Sequence, residues 1–117
     1  MRFLVVDDNF IARAMLRAML EAKGHQVVAE AEDLTGTLKA YETDKPDIVT
    51  LDLSLAKEDG ITILKALRQK HKQAKVLIIS GNDQKKIKDT IFAEGALGFI
   101  VKPVQMDELT EAVSRCL

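Results

Sequence analysis

Five short runs of apolar residues divide the chain, and each is followed by a segment with the period of a helix. The runs are rich in Val, Ile and Leu, as is typical of strands in a parallel sheet that is buried on both faces. They cover Phe3–Val6, Gln26–Ala31, Ile48–Leu51, Val76–Ile79 and Gly98–Val101. This pattern predicts five strands.

The intervening segments repeat apolar residues every three or four positions, the spacing that places them on one face of a helix. The predicted stripes are Ile11, Met15, Ala18 and Met19; Leu34, Leu38 and Tyr41; Ile63, Leu64 and Leu67; Ile87 and Ile91; and Met106, Leu109, Val113 and Leu117. Asn9 is a suitable cap for the first helix, and Gly24 is a suitable stop. Five helices are therefore expected after the five strands.

Alternation of strands and helices indicates an α/β fold in which helices cover both faces of a parallel sheet through right-handed crossovers. The chain has 117 residues, which fits one domain spanning residues 1–117. We therefore expect a three-layer sandwich with a five-stranded sheet.

Composition argues against several classes of function but does not by itself indicate one. The net charge of −1 gives no basic footprint for nucleic acid and no attraction to an anionic membrane. No apolar run approaches the length of a transmembrane helix, and no signal-peptide layout is present. Cys116 is the only cysteine, so neither an internal disulfide nor a zinc cluster is indicated. These features predict a cytoplasmic protein that does not insert into membranes.

Polar residues follow four of the predicted strands directly. Asp7 and Asp8 follow the first, Asp52 the third, Ser80 the fourth and Lys102 the fifth. In a parallel α/β sheet, ligands bind beyond the carboxyl ends of the strands, so these side chains are expected at one edge.

The chemistry of this set points to phosphoryl transfer. Neighbouring carboxylates repel one another unless a cation offsets them, and Mg²⁺ prefers one or two carboxylates together with waters and a phosphate. An ammonium opposite the carboxylates balances phosphoryl charge, and a hydroxyl can bond a phosphoryl oxygen. Asp52, after a central strand, is the best candidate for a nucleophile that forms an acyl phosphate.

Four segments carry a family resemblance. They are VVDDN at 5–9, PDIVTLDLSLAKEDG at 46–60, VLIISG at 76–81 and EGALGFIVKP at 94–103. In this order and spacing the chain resembles the receiver domain of two-component response regulators over essentially its whole length. The resemblance implies a flavodoxin-like fold with strand order 2-1-3-4-5, which a chemotaxis member of this family exemplifies.

The resemblance also implies roles for the polar residues. Asp52 would accept a phosphoryl group from a phosphohistidine on a sensor histidine kinase or a phosphotransfer protein. Asp7 and Asp8, together with Asp52 and the backbone carbonyl of Ser54, would hold the Mg²⁺ cofactor. Lys102 would contact the phosphoryl group.

Further residues match the family's conformational switch. Ser80 and Phe99 would change position on phosphorylation, and the bond between Lys102 and Pro103 would be cis. An unidentified output protein would read the change on the face formed by the fourth helix, the fifth strand and the fifth helix, where phosphorylation could also drive dimer formation. The protein would be a signalling switch of the chemotaxis type that catalyses only its own phosphorylation and dephosphorylation.

Two positions depart from the family pattern. Ala56 stands where proline is usual, so the surrounding loop is expected to be less rigid. Glu58 stands where methionine is usual, and its charge is expected near the site, where it would affect kinase docking.

Several alternatives remain at this point. The chain could be a receiver domain cut from a larger transcription factor or hybrid kinase, or a degenerate receiver that binds partners without phosphorylation. An aspartyl-phosphate phosphatase would carry a second aspartate two residues after the nucleophile, where this chain has Ser54. Taken alone, Asp7 and Asp8 could merely cap a helix. Likewise, Lys85, Lys86 and Lys88 fit a solvated face as well as a docking surface for an acidic partner.

Overall fold

The computed structural model describes all residues, 1–117, and contains five strands that alternate with five helices. In chain order they are β1 Arg2–Val6, α1 Phe10–Ala22, β2 Gln26–Ala31, α2 Leu34–Asp44, β3 Ile48–Asp52, α3 Gly60–Lys70, β4 Val76–Ser80, α4 Lys85–Ala93, β5 Gly98–Val101 and α5 Met106–Ser114. All neighbouring strands are parallel, and their order is β2-β1-β3-β4-β5. The predicted flavodoxin-like α/β fold is confirmed.

The sheet separates two hydrophobic cores. On one side, Leu16 and Leu20 of α1 pack with Leu109 and Val113 of α5 against the sheet. The other core lies beneath α2, α3 and α4; its fully buried helical residues are Ile63, Leu64, Leu67 and Ile91. Every residue of β3 and β4 is buried, because these strands are covered on both faces. None of the helices is both long enough and apolar enough to cross a membrane.

The predicted apolar stripe of α1 is wrong at Ile11, Met15 and Ala18, which are exposed, whereas Met19 packs against the core. Ile11 and Met15 are 67% and 63% exposed, whereas Leu16 and Leu20 face the core. Apolar residues occur on more than one side of this helix, so the spacing of a few of them does not identify the buried face. The orientation of α1 is set instead by the turn after β1, where Asn9 caps the helix by accepting from the Ala12 N–H.

The last residue of the α5 stripe is also misplaced. Leu117 is 80% exposed, because α5 ends at Ser114 and the helical periodicity no longer applies beyond it. Cys116 is buried in its place and packs in the same core as Leu109. The free thiol is therefore a core side chain, and burial raises its pKa.

Candidate functional site

Strand register brings the predicted polar residues to one edge of the sheet. Val6 pairs with Leu51, and Asp52 pairs with Ile79, so Asp7 and Asp52 emerge beside each other. Ser80 pairs with Val101, the residue before Lys102. The carboxyl ends of β1, β3, β4 and β5 thus meet at one edge of the sheet, where the polar residues that follow them lie.

Lys102 connects the two buried carboxylates of this edge. Its Nζ lies 2.6 Å from Asp52 Oδ2 and 3.6 Å from Asp7 Oδ2. Asp52 and Asp7 are only 3% and 7% exposed, and burying such charges is unfavourable unless they are paired. The ammonium therefore compensates two negative charges that the fold has largely removed from water.

Backbone N–H groups orient the three carboxylates. Asp7 Oδ1 accepts from the Asn9 N–H at 2.9 Å, and Asp52 Oδ1 accepts from the Ser54 N–H at 2.8 Å. Asp8 Oδ2 accepts from the Ala56 N–H at 2.6 Å. On Asp7 and Asp52 the other oxygen, Oδ2, faces Lys102, so both carboxylates have fixed orientations before any ligand binds.

The electrostatic environment shifts two pKa values at this edge. Burial raises the pKa of Asp7; the Asn9 N–H opposes this shift, and the nearby charge of Asp52 adds to it. Burial lowers the pKa of Lys102, but its hydrogen bond to Asp52 and the charges of Asp52 and Asp7 outweigh burial, so this pKa is raised overall. Lys102 is therefore firmly cationic, and ionised Asp7 is under electrostatic strain.

This strain predicts a pH-dependent stability change in Asp7→Asn. Because the pKa of Asp7 is raised in the folded state, ionisation of Asp7 destabilises the fold. This destabilisation is absent below the ordinary pKa of 3.8 and grows as the pH rises through the folded-state pKa. In EDTA, we expect Asp7→Asn to raise the melting temperature at pH 7 by a few degrees, with the gain disappearing below pH 3.8. Thermal melts of this variant and of Asp83→Asn, a control at an exposed position, test the prediction. A melting temperature of Asp7→Asn below that of the wild type at pH 7 would contradict it.

A buried arginine behind the site was not found from the sequence. Arg13 is 8% exposed; its Nη1 donates to the carbonyl oxygen of Asp7 at 2.6 Å, and its Nε donates to Glu30 Oε1 at 2.8 Å. Glu32 lies 3.3 Å from the same guanidinium. The sequence signal that could have indicated this link is a pair of acidic residues two apart at the end of an edge strand, opposite a helical arginine.

Ser80 and Phe99 lie on neighbouring strands at the α4 side of the sheet. Ser80 is buried, and its Oγ accepts from the Asn82 N–H at 3.0 Å. Phe99 pairs with Ile78, packs against the core beneath α4, and is half-buried. Lys88 Nζ lies 5.2 Å from the centre of the Phe99 ring, within the range of a cation–π contact.

Glu58 makes a contact that the sequence did not predict. Its Oε1 accepts from the backbone N–H of Leu34 at the start of α2, at 3.0 Å. The first N–H groups of a helix lack intrahelical partners and attract negative charge, which explains this orientation. The effect of this charge on kinase docking stays a prediction.

The donor set suits a hard cation, although the expected gathering of three carboxylates is incomplete. No group of three or more His, Cys, Asp or Glu side chains has the spacing of a metal site, and Lys102 Nζ contacts both Asp7 and Asp52. Mg²⁺ needs only one or two carboxylates and keeps several waters. The fixed oxygens of Asp7 and Asp52, with Asp8 on the adjoining loop, fit that requirement.

A cavity of about 430 Å³ opens beside the carboxylates, between α1 and the segment after β5. Its walls are mainly apolar and include Met15, Leu16, Met19, Ile79 and Val104; Asp7, Lys102 and Pro103 also line it. The bond between Lys102 and Pro103 is cis. Phe10, Ile11 and Met15 expose further apolar surface on α1.

Comparisons with known proteins agree with this architecture. The chain is 38% identical to the chemotaxis protein CheY of Bacillus subtilis over 116 residues, which cover 99% of this chain and 97% of that protein. It is 34% identical to the alkaline phosphatase synthesis transcriptional regulatory protein PhoP of the same species, of which it covers 48%.

A solved structure and a family model agree with these matches. The crystal structure of the CheX–CheY–BeF3–Mg²⁺ complex from Borrelia burgdorferi is similar with a TM-score of 0.91 and 30% identity, over 96% of this chain and 85% of that chain. Residues 3–114 match the model of the response regulator receiver domain. The fold, the polar strand ends and these matches together show that the chain belongs to the response regulator receiver domain family.

Proposed function

We propose that Asp52 is the phosphoacceptor of a two-component switch and that its donor is a phosphohistidine on a sensor kinase or phosphotransfer protein. The observation that supports this most directly is the contact between Asp52 Oδ2 and Lys102 Nζ at 2.6 Å, on a carboxylate that is 3% exposed. A reactive carboxylate needs a fixed orientation and a nearby cation that can contact the phosphoryl group once it is transferred. Asp52 has both.

In the proposed transfer, a carboxylate oxygen of Asp52 attacks phosphorus, an O–P bond forms and the N–P bond of the phosphohistidine breaks. The released imidazole nitrogen takes up a proton from water. The Ser54 N–H holds Asp52 Oδ1, and Lys102 Nζ transfers its hydrogen bond from Asp52 to a phosphoryl oxygen. Asp7, Asp8, Asp52 and the Ser54 carbonyl would hold Mg²⁺, which would neutralise part of the phosphoryl charge when bound.

We infer that the donor docks on α1. Phe10, Ile11 and Met15 are more than 60% exposed, although they are apolar. Met15 lines the cavity that Asp7 and Lys102 also line, so a protein seated on this part of α1 can present a histidine to Asp52. Exposed apolar residues next to a reactive group are typical of a docking surface.

Ser80 and Phe99 are the proposed switch. The Ser80 hydroxyl accepts from the Asn82 N–H and keeps its own proton to donate to a phosphoryl oxygen. Movement of Ser80 toward the phosphoryl group leaves space for the half-buried Phe99 ring to turn inward. The face of α4, β5 and α5 then changes shape for an output protein or for a second copy of the chain.

In the unphosphorylated protein, the contact with Lys88 holds the Phe99 ring away from its inward position, and this effect can be measured. A cation–π contact at a partly exposed site contributes about 0.5–1 kcal/mol, so we expect Lys88→Met to increase the inward population of Phe99 about two- to fivefold. NMR chemical shifts of the ring in the unphosphorylated protein measure this population. Lys85→Met is the control, because Lys85 pairs with Asp89; equal shifts in both variants would contradict a role for the contact.

Intact-protein mass spectrometry after incubation with acetyl phosphate tests the proposal. We expect the mass of one phosphoryl group to be added in the presence of Mg²⁺, and the addition to be lost in EDTA. Absence of labelling under every condition would favour a degenerate receiver. In that case the α1 surface and the α4–β5–α5 face would bind partners without phosphorylation.

The biological setting is proposed on similarity. Receivers of the CheY type are signalling switches, and we propose that residues 1–117 form one such domain acting in the cytoplasm, without direct nucleic-acid contact. The match to about half of PhoP supports an alternative in which the receiver is part of a longer transcription factor. The length of the gene distinguishes the two arrangements.

A further inference from the structure

The loop between β3 and α3, residues 53–59, holds backbone groups that the proposed phosphorylation uses. Its ends approach closely at Gly60, where an added Cβ would lie 2.6 Å from the Leu53 Cα and 2.8 Å from the Asp52 carbonyl oxygen. Only glycine permits this approach. The ends of the loop are thus fixed by packing, and its middle depends on other contacts.

One such contact exists because position 56 is alanine. The Ala56 N–H donates to Asp8 Oδ2 at 2.6 Å, and a proline, which the family usually has here, would provide no N–H. The chain therefore lacks the rigid proline at this position but has a hydrogen bond to Asp8, a proposed metal ligand. Such a bond orients Asp8 only while the loop remains in place.

Glu58 ties the same loop to α2. Its Oε1 accepts from the Leu34 N–H at 3.0 Å, in a partly buried contact between residues 24 apart in sequence. Asp33, the cap of α2, accepts from the Gly36 N–H instead, at 2.7 Å. The two acids thus satisfy different donors of one helix end, and only Glu58 links that end to the loop.

We propose that Glu58 is a positioning residue for the phosphorylation site. By holding the loop against α2, it keeps the Ala56 N–H on Asp8 and the Ser54 backbone beside Asp52, in place of the stiffness that a proline would provide. This inference rests on the proposed function, since it assigns Glu58 a role in preparing the same site.

Amide hydrogen exchange at Ala56 and Mg²⁺ titration, both followed by NMR on the unphosphorylated chain, test the inference. We expect Glu58→Ala to reduce the protection of the Ala56 amide and to raise the Mg²⁺ dissociation constant about fivefold. Glu58→Gln retains an acceptor oxygen and should restore most of both values. Asp33→Ala is the matched control: it weakens the same end of α2 but leaves the loop contact intact, so both values should stay near those of the wild type.

Unchanged protection of Ala56 in Glu58→Ala would overturn the inference, as would equal losses in Asp33→Ala. Failure of the wild type to gain a phosphoryl group would refute the proposed function instead. Exchange at Ala56 does not depend on phosphorylation, so the two failures are distinguishable.

Discussion

Asp52→Asn is expected to abolish phosphorylation by acetyl phosphate. The amide has no anionic oxygen, so it cannot attack phosphorus to form an acyl phosphate. Asn is nearly the same size as Asp, and its carbonyl oxygen can still accept from the Ser54 N–H, which binds Asp52 Oδ1 at 2.8 Å. The variant should therefore fold, and its loss of labelling should reflect chemistry.

Intact-protein mass spectrometry over time, with Mg²⁺ present, measures this effect. Asp59→Asn is a matched control because Asp59 lies in the same loop, where it accepts from the Ile61 N–H at the start of α3. We expect this control to be labelled at nearly the wild-type rate. Equal labelling of Asp52→Asn and the wild type would show that another residue is the phosphoacceptor.

Lys102→Met is expected to reduce both stability and phosphorylation. Methionine keeps an apolar stem but removes the ammonium that lies 2.6 Å from Asp52 and 3.6 Å from Asp7. Two buried carboxylates then face each other without compensation. Loss of one partner of a buried ion pair lowers the free energy of unfolding by about 3–5 kcal/mol. Because Lys102 is about a third exposed, we expect a smaller decrease of about 1–2 kcal/mol at pH 7.

The pH dependence of this loss distinguishes electrostatics from packing. Asp7 has a raised pKa, and removing Lys102 removes an influence that lowers it. Asp7 should therefore take up a proton at a higher pH in the variant than in the wild type, which relieves the repulsion. Urea unfolding should show a stability difference from the wild type that is largest at pH 7 and shrinks toward the ordinary pKa of Asp7; a difference that is constant with pH would indicate lost packing.

Phosphorylation of Lys102→Met should be slow, and its output face should not respond. The developing phosphoryl charge loses one cation, and loss of one such stabilising group typically slows a reaction about 10²–10³-fold. Mass spectrometry gives the rate, and NMR shifts of Phe99 in the phosphorylated fraction report the switch. Lys85→Met, at an exposed position on α4, is the control; a normal Phe99 response in Lys102→Met would remove Lys102 from the switch.

The polar strand ends illustrate what local pattern can predict. Asp7, Asp52, Ser80 and Lys102 each follow an apolar run, and parallel strands place such residues at one edge. The register of β1, β3, β4 and β5 brings them to that edge. Their chemical roles rest on residue type and on the family, and they stay predictions until phosphorylation is measured.

Glu58 and Arg13 illustrate what local pattern cannot predict. Glu58 was expected to add a negative charge near the site, but the sequence did not indicate that its Oε1 binds the N-terminus of α2. Arg13 was not singled out, yet it connects the Asp7 carbonyl with Glu30 on the edge strand. Both contacts depend on how separate elements pack, which sequence spacing does not describe.

The sequence by itself determined the succession of strands and helices, the parallel sheet and the identity of the polar residues at its edge. These follow from the period and length of apolar runs, which are local properties of the chain. Only the tertiary structure decided which side of α1 is buried, where Glu58 points and how Lys102 is shared between Asp7 and Asp52. Those features are set by packing and by hydrogen bonds between distant segments, because a side chain with several available partners is oriented only when the elements around it are in place.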